Sequence, residues 1–188
     1  MELKGNTKNP SVVVIGVFHG DEPQGEYLVN KYLAKNFNTN ILFIPRLNSC
    51  DTRVNKNGVD LNRNFPTKNW ELSEKNEYFG GETPASEKET RFIIETVEKY
   101  SPKLILTLHV PYKVVNYDGP KSEVVEKIAD IMNYPIEESI GYPTPGSFGT
   151  WAGIERNILT ITLELDEEID VKELEPQVFK VFELLEGI

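Results

Sequence analysis

The chain has 188 residues, enough to bury a core without staples, and its single cysteine, Cys50, excludes a disulfide framework. Hydrophobic residues make up 39% and charged residues 27%, which excludes a disordered chain, and a net charge of −10 excludes the basic footprint of a nucleic-acid-binding protein. The first apolar run is too short to span a membrane and no leader pattern precedes it, so the expectation is one domain over 1–188, cytoplasmic, with no membrane partner.

Val12 to Phe18 is a continuous, largely β-branched run closed by His19 and Gly20, which predicts a fully buried strand. Pro23 stands where a helix can begin, and QGEYLVNKYLAKNF carries apolar residues at helical spacing. NILFIPRL predicts a second strand. Cys50 to Ala85 is long and rich in Asn, Gly, Pro and Lys, and loops of that length inside a compact domain are usually functional. Ser86 and Glu89 have the spacing of a capping box, predicting a helix from Ser86 to about Tyr100. KLILTLHV is a third buried strand, and it too ends on a histidine. YKVVNYDGP predicts a short edge strand with a turn at Asp118 and Gly119. Ser122 to Asn133 reads as an amphipathic helix, GYPTPGSFGTWAG as a Gly/Pro-rich loop, ILTITLEL as the last strand, and Val171 to Leu185 as a final helix with Pro176 in its first turns. Strands alternating with helices predict an α/β fold, a mostly parallel mixed sheet covered by helices on both faces.

In open α/β sheets, ligands bind beyond the carboxyl ends of the strands. His19, His109 and Glu164 all fall at or near such ends, which makes them candidates for one site. His19 and Glu22, three apart on a turn leaving a strand, can grip one cation; taken alone, the pair fits better a hydrogen-bonded histidine and an acid favouring a helix N-terminus. His109 is the only other histidine, and two histidines plus one carboxylate with an open fourth position form a catalytic zinc arrangement. In ILTITLEL, Leu159, Ile161, Leu163 and Leu165 share one face, while Ile158, Thr160, Thr162 and Glu164 share the other. Glu164 is either a strand-end acid in water, like Asp166, Glu167 and Glu168, or, beside a zinc ion, a general base. In GVDLNRNFP, the polar Asn62, Arg63 and Asn64 are bracketed by Leu61 and Phe65, as in a segment tucked into the fold. Arg63 offers two parallel hydrogen bonds to a carboxylate, whether a ligand's or one of the chain's own. Asp60 can accept the free imidazole N–H of a metal-bound histidine.

HGDE, DLNRNFP, the strand-end histidine of LTLHV and the late TLEL, in this order, resemble the zinc carboxypeptidase superfamily. YFGGETPASEKET and GYPTPGSFGTWAG resemble its murein peptide amidase branch, whose members cut between γ-D-glutamate and meso-diaminopimelate. The resemblance runs from about Val12 to Leu165. It implies a carboxypeptidase-like fold, one zinc ion per chain, and a small peptide substrate with a free carboxylate. Residue by residue, it implies His19, Glu22 and His109 as zinc ligands and Glu164 as the catalytic glutamate. Arg53 corresponds to the oxyanion-stabilising arginine, Asn62 and Arg63 to the pair that holds the substrate carboxylate, and Asp60 to the acid behind the first histidine. RLNSCD stands where many relatives have an Asn-Pro-Asp-Gly turn, and HVP replaces a histidine–serine pair. Tyr142 is the candidate for the tyrosine that closes over substrate. Two neighbouring expectations are an acyl-amino-acid deacylase of the succinylglutamate desuccinylase or aspartoacylase type, and a catalytically inactive zinc-dependent peptide-binding protein.

Overall fold

The computed structural model describes residues 1–36, 38–137 and 143–188. In chain order they form β1 (Lys4–Gly5), β2 (Val12–Ile15), α1 (Gln24–Lys35), β3 (Leu42–Ile44), α2 (Lys88–Tyr100), β4 (Leu104–His109), β5 (Val114–Asp118), α3 (Glu123–Met132), β6 (Ile136–Glu137), β7 (Leu159–Glu164) and α4 (Val171–Leu185). The strands make one sheet in the order β1-β3-β2-β4-β7-β5-β6. β3, β2, β4 and β7 run parallel to one another, β5 is antiparallel to β7, and β1 is antiparallel to β3.

The apolar pattern explains both faces. β2 and β4 are buried along their whole length, as strands with both faces covered must be. Successive side chains point to opposite faces. Val12, Val14, Leu104, Leu106, Leu108, Leu159, Ile161 and Leu163 therefore meet Leu28, Tyr32, Ile128, Val178 and Phe182, residues of α1, α3 and α4, in one core. Val13, Ile15, Leu42, Ile44 and Ile105 meet Ile93 and Val97 of α2, with Leu61, Phe65, Phe148 and Trp151, in the other. Ser122 caps α3 by accepting from the Val124 N–H, and Asp170 caps α4 by accepting from the Lys172 N–H.

Two local expectations are corrected. Ser86 does not cap α2: Glu87 is the N-cap residue, with no side-chain capping bond. The Ser86 hydroxyl instead accepts from Asn64 Nδ2 and donates to Glu87, because the long loop packs against this turn and competes for the side chain. The segment read as an edge strand, β5, lies inside the sheet, since β6 pairs with its outer side.

The topology also locates a cleft. β2 is followed by β3 on one side and has β4 on the other, so the strand order reverses at the β2–β4 boundary. Such a switch point is where open α/β sheets bind ligands, beyond the carboxyl ends of the strands. β4 ends on His109, and the chain leaving β2 reaches His19 four residues later.

Candidate functional site

On the α2 face of the sheet, polarity changes abruptly along the strands. Ile105 of β4 belongs to the core, while Thr107 and His109, two and four residues on, line a cavity of about 350 Å³. Thr162 and Glu164 of β7 and Asn116 and Asp118 of β5 line the same cavity. The register stacks these groups in rungs: His109 lies opposite Glu164, and Thr107 opposite Thr162, which in turn lies opposite Asn116.

At the upper rung, His19, Glu22 and His109 are all buried, and one ligand atom from each lies within 4.8 Å of the others. Both histidines present Nδ1 to the same carboxylate: His19 Nδ1 is 2.8 Å from Glu22 Oε1, and His109 Nδ1 is 2.9 Å from Glu22 Oε2. Two imidazole nitrogens and a carboxylate are a donor set for zinc, and three protein ligands leave a position for water or substrate. His19 turns its Nε2 to Asp60 Oδ1 at 3.2 Å, and Phe18 stacks on the His109 ring at 5.7 Å between centroids.

Asp60 ties several parts together. It is fully buried, accepts the Asn62 backbone N–H at 2.8 Å as N-cap of the 3₁₀ turn Leu61–Arg63, and accepts from Arg53 Nη2 at 2.9 Å. Burial opposes its charge, but His19, Arg53 and Arg63 outweigh burial and hold its carboxyl well below the usual carboxylate range. For His19, burial opposes the cation, yet the bonds to Asp60 and Glu22 push its pKa up to about 9. For Glu22, burial is again overcome by the two histidines, which bring it down to about 2.

Glu164 is different. It is 6% exposed, and burial raises its pKa, with the Glu22 charge adding to the rise and His109 opposing it. Its Oε2 is buried and has no hydrogen-bond partner among the described residues. The backbone of Tyr112 hydrogen-bonds the carboxylate, so Oε2 is the one oxygen left as an acceptor without a donor beside the polar cavity.

The opposite wall comes from the long loop. The turn Leu61–Arg63 lets Asn62 and Arg63 reach the same cavity, which adjacent residues of an extended strand do not do. Asn62 Oδ1 accepts the Phe148 N–H at 2.9 Å, and Arg63 Nη1 donates to the Asn62 carbonyl at 2.7 Å. Gly146, at φ +70°, crosses so close that a Cβ there would sit 2.2 Å from the Arg63 carbonyl oxygen. Arg53 lies over the Tyr78 ring at 4.8 Å.

His19, Glu22, Arg53, Asn62, Arg63, His109 and Glu164 thus line one cavity, with Asp60 behind His19 and Arg53. Tyr142 lies outside the described residues. Sequence reasoning missed Asn48, which is fully buried and donates Nδ2 to the carbonyls of Thr52 and Arg53. That side chain closes the RLNSCD turn and sets the start of the Arg53 segment. It also missed Thr107, Thr162, Asn116 and Asp118, although alternation in LTLH and LTITLE places both threonines on the same face as His109 and Glu164.

A family profile described as zinc carboxypeptidase matches residues 39–179. The matched span begins after His19 and Glu22, so it is the geometry that joins these two to His109. Murein peptide amidase A of Escherichia coli K12 is 36% identical over 124 residues, covering 60% of this chain and 50% of that protein. The protein of the same name from Vibrio campbellii is 35% identical over 133 residues, covering 64% of this chain and 53% of that protein. The chain therefore spans about half the length of the curated relatives it matches. The crystal structure of the murein-tripeptide amidase of Escherichia coli O157 superposes with a TM-score of 0.78 at 26% identity, covering 96% of this chain and 82% of that one.

Proposed function

The chain belongs to the zinc carboxypeptidase family, and from that premise we propose that it is a zinc-dependent amidase hydrolysing the γ-D-glutamyl–meso-diaminopimelate bond of murein peptides. In this reading it acts in the cytoplasm with one zinc ion per chain, held by His19, Glu22 and His109. The observation that carries it is the meeting, in one cavity, of that donor set, an unpartnered buried Glu164 oxygen and the Asn62–Arg63 turn. The choice of peptide rests on relatives named murein peptide amidase.

Bound zinc supplies Lewis acidity toward the attacking water and the scissile carbonyl. Glu164 takes a proton from that water as its oxygen bonds to the carbonyl carbon, and returns a proton to the departing nitrogen as the C–N bond breaks. Burial raises its pKa, which makes its carboxylate a better proton acceptor than an exposed one. Arg53 spends Nε and Nη2 on Asp60, and a guanidinium has further N–H donors for the oxyanion that forms on the carbonyl oxygen. Asp60 thereby fixes Arg53 and the first histidine together. Asn62 and Arg63 hold the free carboxylate of the leaving residue, which fixes the amide for attack.

The test is incubation of the zinc-loaded protein with L-Ala-γ-D-Glu-meso-diaminopimelate, with mass spectrometry of the products. Free diaminopimelate that disappears with a chelator is expected. Intact tripeptide alongside hydrolysed N-succinylglutamate would replace this reading with the deacylase one.

A further inference from the structure

Arg53 is held along its edge by a single oxygen. Its Nε and Nη2 both donate to Asp60 Oδ2, at 3.2 and 2.9 Å. The other oxygen of that carboxylate, Oδ1, is engaged by His19 Nε2 and the Asn62 N–H. Asp60 therefore does not offer Arg53 the two-oxygen fork that fixes a guanidinium against a carboxylate. A guanidinium hung from one acceptor can pivot about it, and a pivot swings the N–H groups left over for the oxyanion.

Tyr78 supplies a restraint from a second direction. Arg53 lies over the Tyr78 ring, 4.8 Å from its centroid, where the negative face of the ring attracts the cation. The segment carrying Tyr78 is seated for this contact. The Asp60 backbone N–H donates to the Phe79 carbonyl at 2.8 Å, and Asn64 Nδ2 donates to the Gly80 carbonyl at 2.7 Å. A Cβ on Gly80 would sit 2.5 Å from the Arg63 carbonyl oxygen, so a glycine lets the segment lie this close. The residues on both flanks of the Leu61–Arg63 turn thus seat Tyr78, and one of them is the Asp60 whose side chain holds Arg53. None of these pins uses the Tyr78 side chain, which is 44% exposed and adds little to the core. It lines the cavity together with Arg53, Asn62 and Arg63.

We propose that Tyr78 is a positioning residue for the reaction: its ring fixes the tilt of the Arg53 guanidinium that Asp60 alone leaves free, so that Arg53 meets the forming oxyanion already in place. The inference rests on the amidase reading for the reaction that Arg53 serves, while the contact between Tyr78 and Arg53 stands apart from it. Preorganised donors stabilise a transition state because no reorganisation is left to do when the charge forms. The oxyanion exists only beyond the ground state, so the ring should act on turnover and not on substrate binding.

The test uses the zinc-loaded full chain with L-Ala-γ-D-Glu-meso-diaminopimelate. Tyr78→Leu keeps an apolar side chain and removes the ring. It should lower kcat about three- to thirtyfold, the span of a cation–π contact, with KM changed less than about twofold and zinc retained. Tyr78→Phe keeps the ring and should recover most of that loss. In an Arg53→Gln background, Tyr78→Leu should cost almost nothing more. An equal loss in Tyr78→Phe, or the full loss repeated in Arg53→Gln, overturns the proposal. A second readout needs no turnover. The Arg53 Nε–H resonance in NMR, assigned by its absence in Arg53→Gln, should shift and exchange faster with water in Tyr78→Leu and stay as in wild type in Tyr78→Phe. A resonance unchanged in Tyr78→Leu overturns the proposal. Tripeptide left intact by wild type defeats the amidase reading alone, and the resonance then decides for Tyr78.

Discussion

The rim of the cavity and its floor, where Asp118 of β5 lies opposite Thr160 of β7, treat polar groups in opposite ways. At the rim, His19, Glu22, His109, Asp60 and Arg53 are joined to one another by hydrogen bonds of 2.8 to 3.2 Å. At the floor, Asp118 is bonded to nothing among the described residues, and Glu164, opposite His109 at the rim, keeps one buried oxygen unpartnered. Bonded groups hold geometry, and unpaired ones are available to a ligand. A change at the rim should therefore disturb several functions together, while a change to an unpaired group should remove one.

Glu164→Gln gives the largest expected effect and the sharpest form of that contrast. It should keep zinc and the folded structure yet lose about 100- to 10,000-fold in turnover, because an amide does not take the water's proton. More than about a tenth of wild-type activity would remove Glu164 as the base.

Arg63→Lys is next. Lysine does not reproduce the two parallel bonds of a guanidinium, so kcat/KM on the tripeptide should fall about ten- to a hundredfold. Amidating the carboxylate next to the scissile nitrogen should cost wild type as much and the variant little more. Additive losses would make Arg63 a structural arginine, in keeping with its bond to the Asn62 carbonyl.

Asp60→Asn tests the rim as a unit. Zinc affinity should weaken about ten- to a hundredfold through His19. Because Asp60 also holds Arg53 and caps the Leu61–Arg63 turn, turnover at saturating zinc should fall as well. A loss confined to zinc affinity would contradict the view that the rim acts as one network.

The smallest effect is in stability. In metal-free protein His19 has a pKa raised from 6.5 to about 9, so the stability from its bonds is full below pH 6.5 and is lost as pH rises toward 9. Glu22 is lowered from 4.5 to about 2, so its contribution is present above pH 4.5 and is lost as pH falls toward 2. The melting temperature in chelator should thus peak between about pH 4.5 and 6.5 and drop by a few degrees by pH 9. His19→Gln should flatten the alkaline limb. An alkaline limb unchanged in that variant would place the titration elsewhere.

How much of this was legible in the sequence follows the same division. Val12–Ile15, Leu104–His109 and Leu159–Glu164 announce themselves because strands with both faces covered need unbroken apolar runs, and a histidine or glutamate ending such a run stands out. The contacts of Asp60 and the turn at Asn62 fit the resemblance to a known family. The floor was not legible, because Asp118 is placed there by the β5–β7 register and by the close approach of Gly149 and Gly153, far along the chain. Asn48 was missed for a like reason, since its carbonyl partners lie within a loop whose path the sequence does not specify. The capping box at Ser86 misled because local spacing says nothing of Asn64, which arrives from 22 residues away and takes the hydroxyl.

The central claim is that the rim holds one zinc ion through His19, Glu22 and His109. X-ray absorption at the zinc edge on stoichiometrically loaded protein measures this directly. The account predicts one zinc per chain in a shell of nitrogen and oxygen only, with two imidazole signatures in wild type and one in His109→Ala. A sulfur scatterer, which would implicate Cys50, or an imidazole count unchanged in His109→Ala, would contradict it.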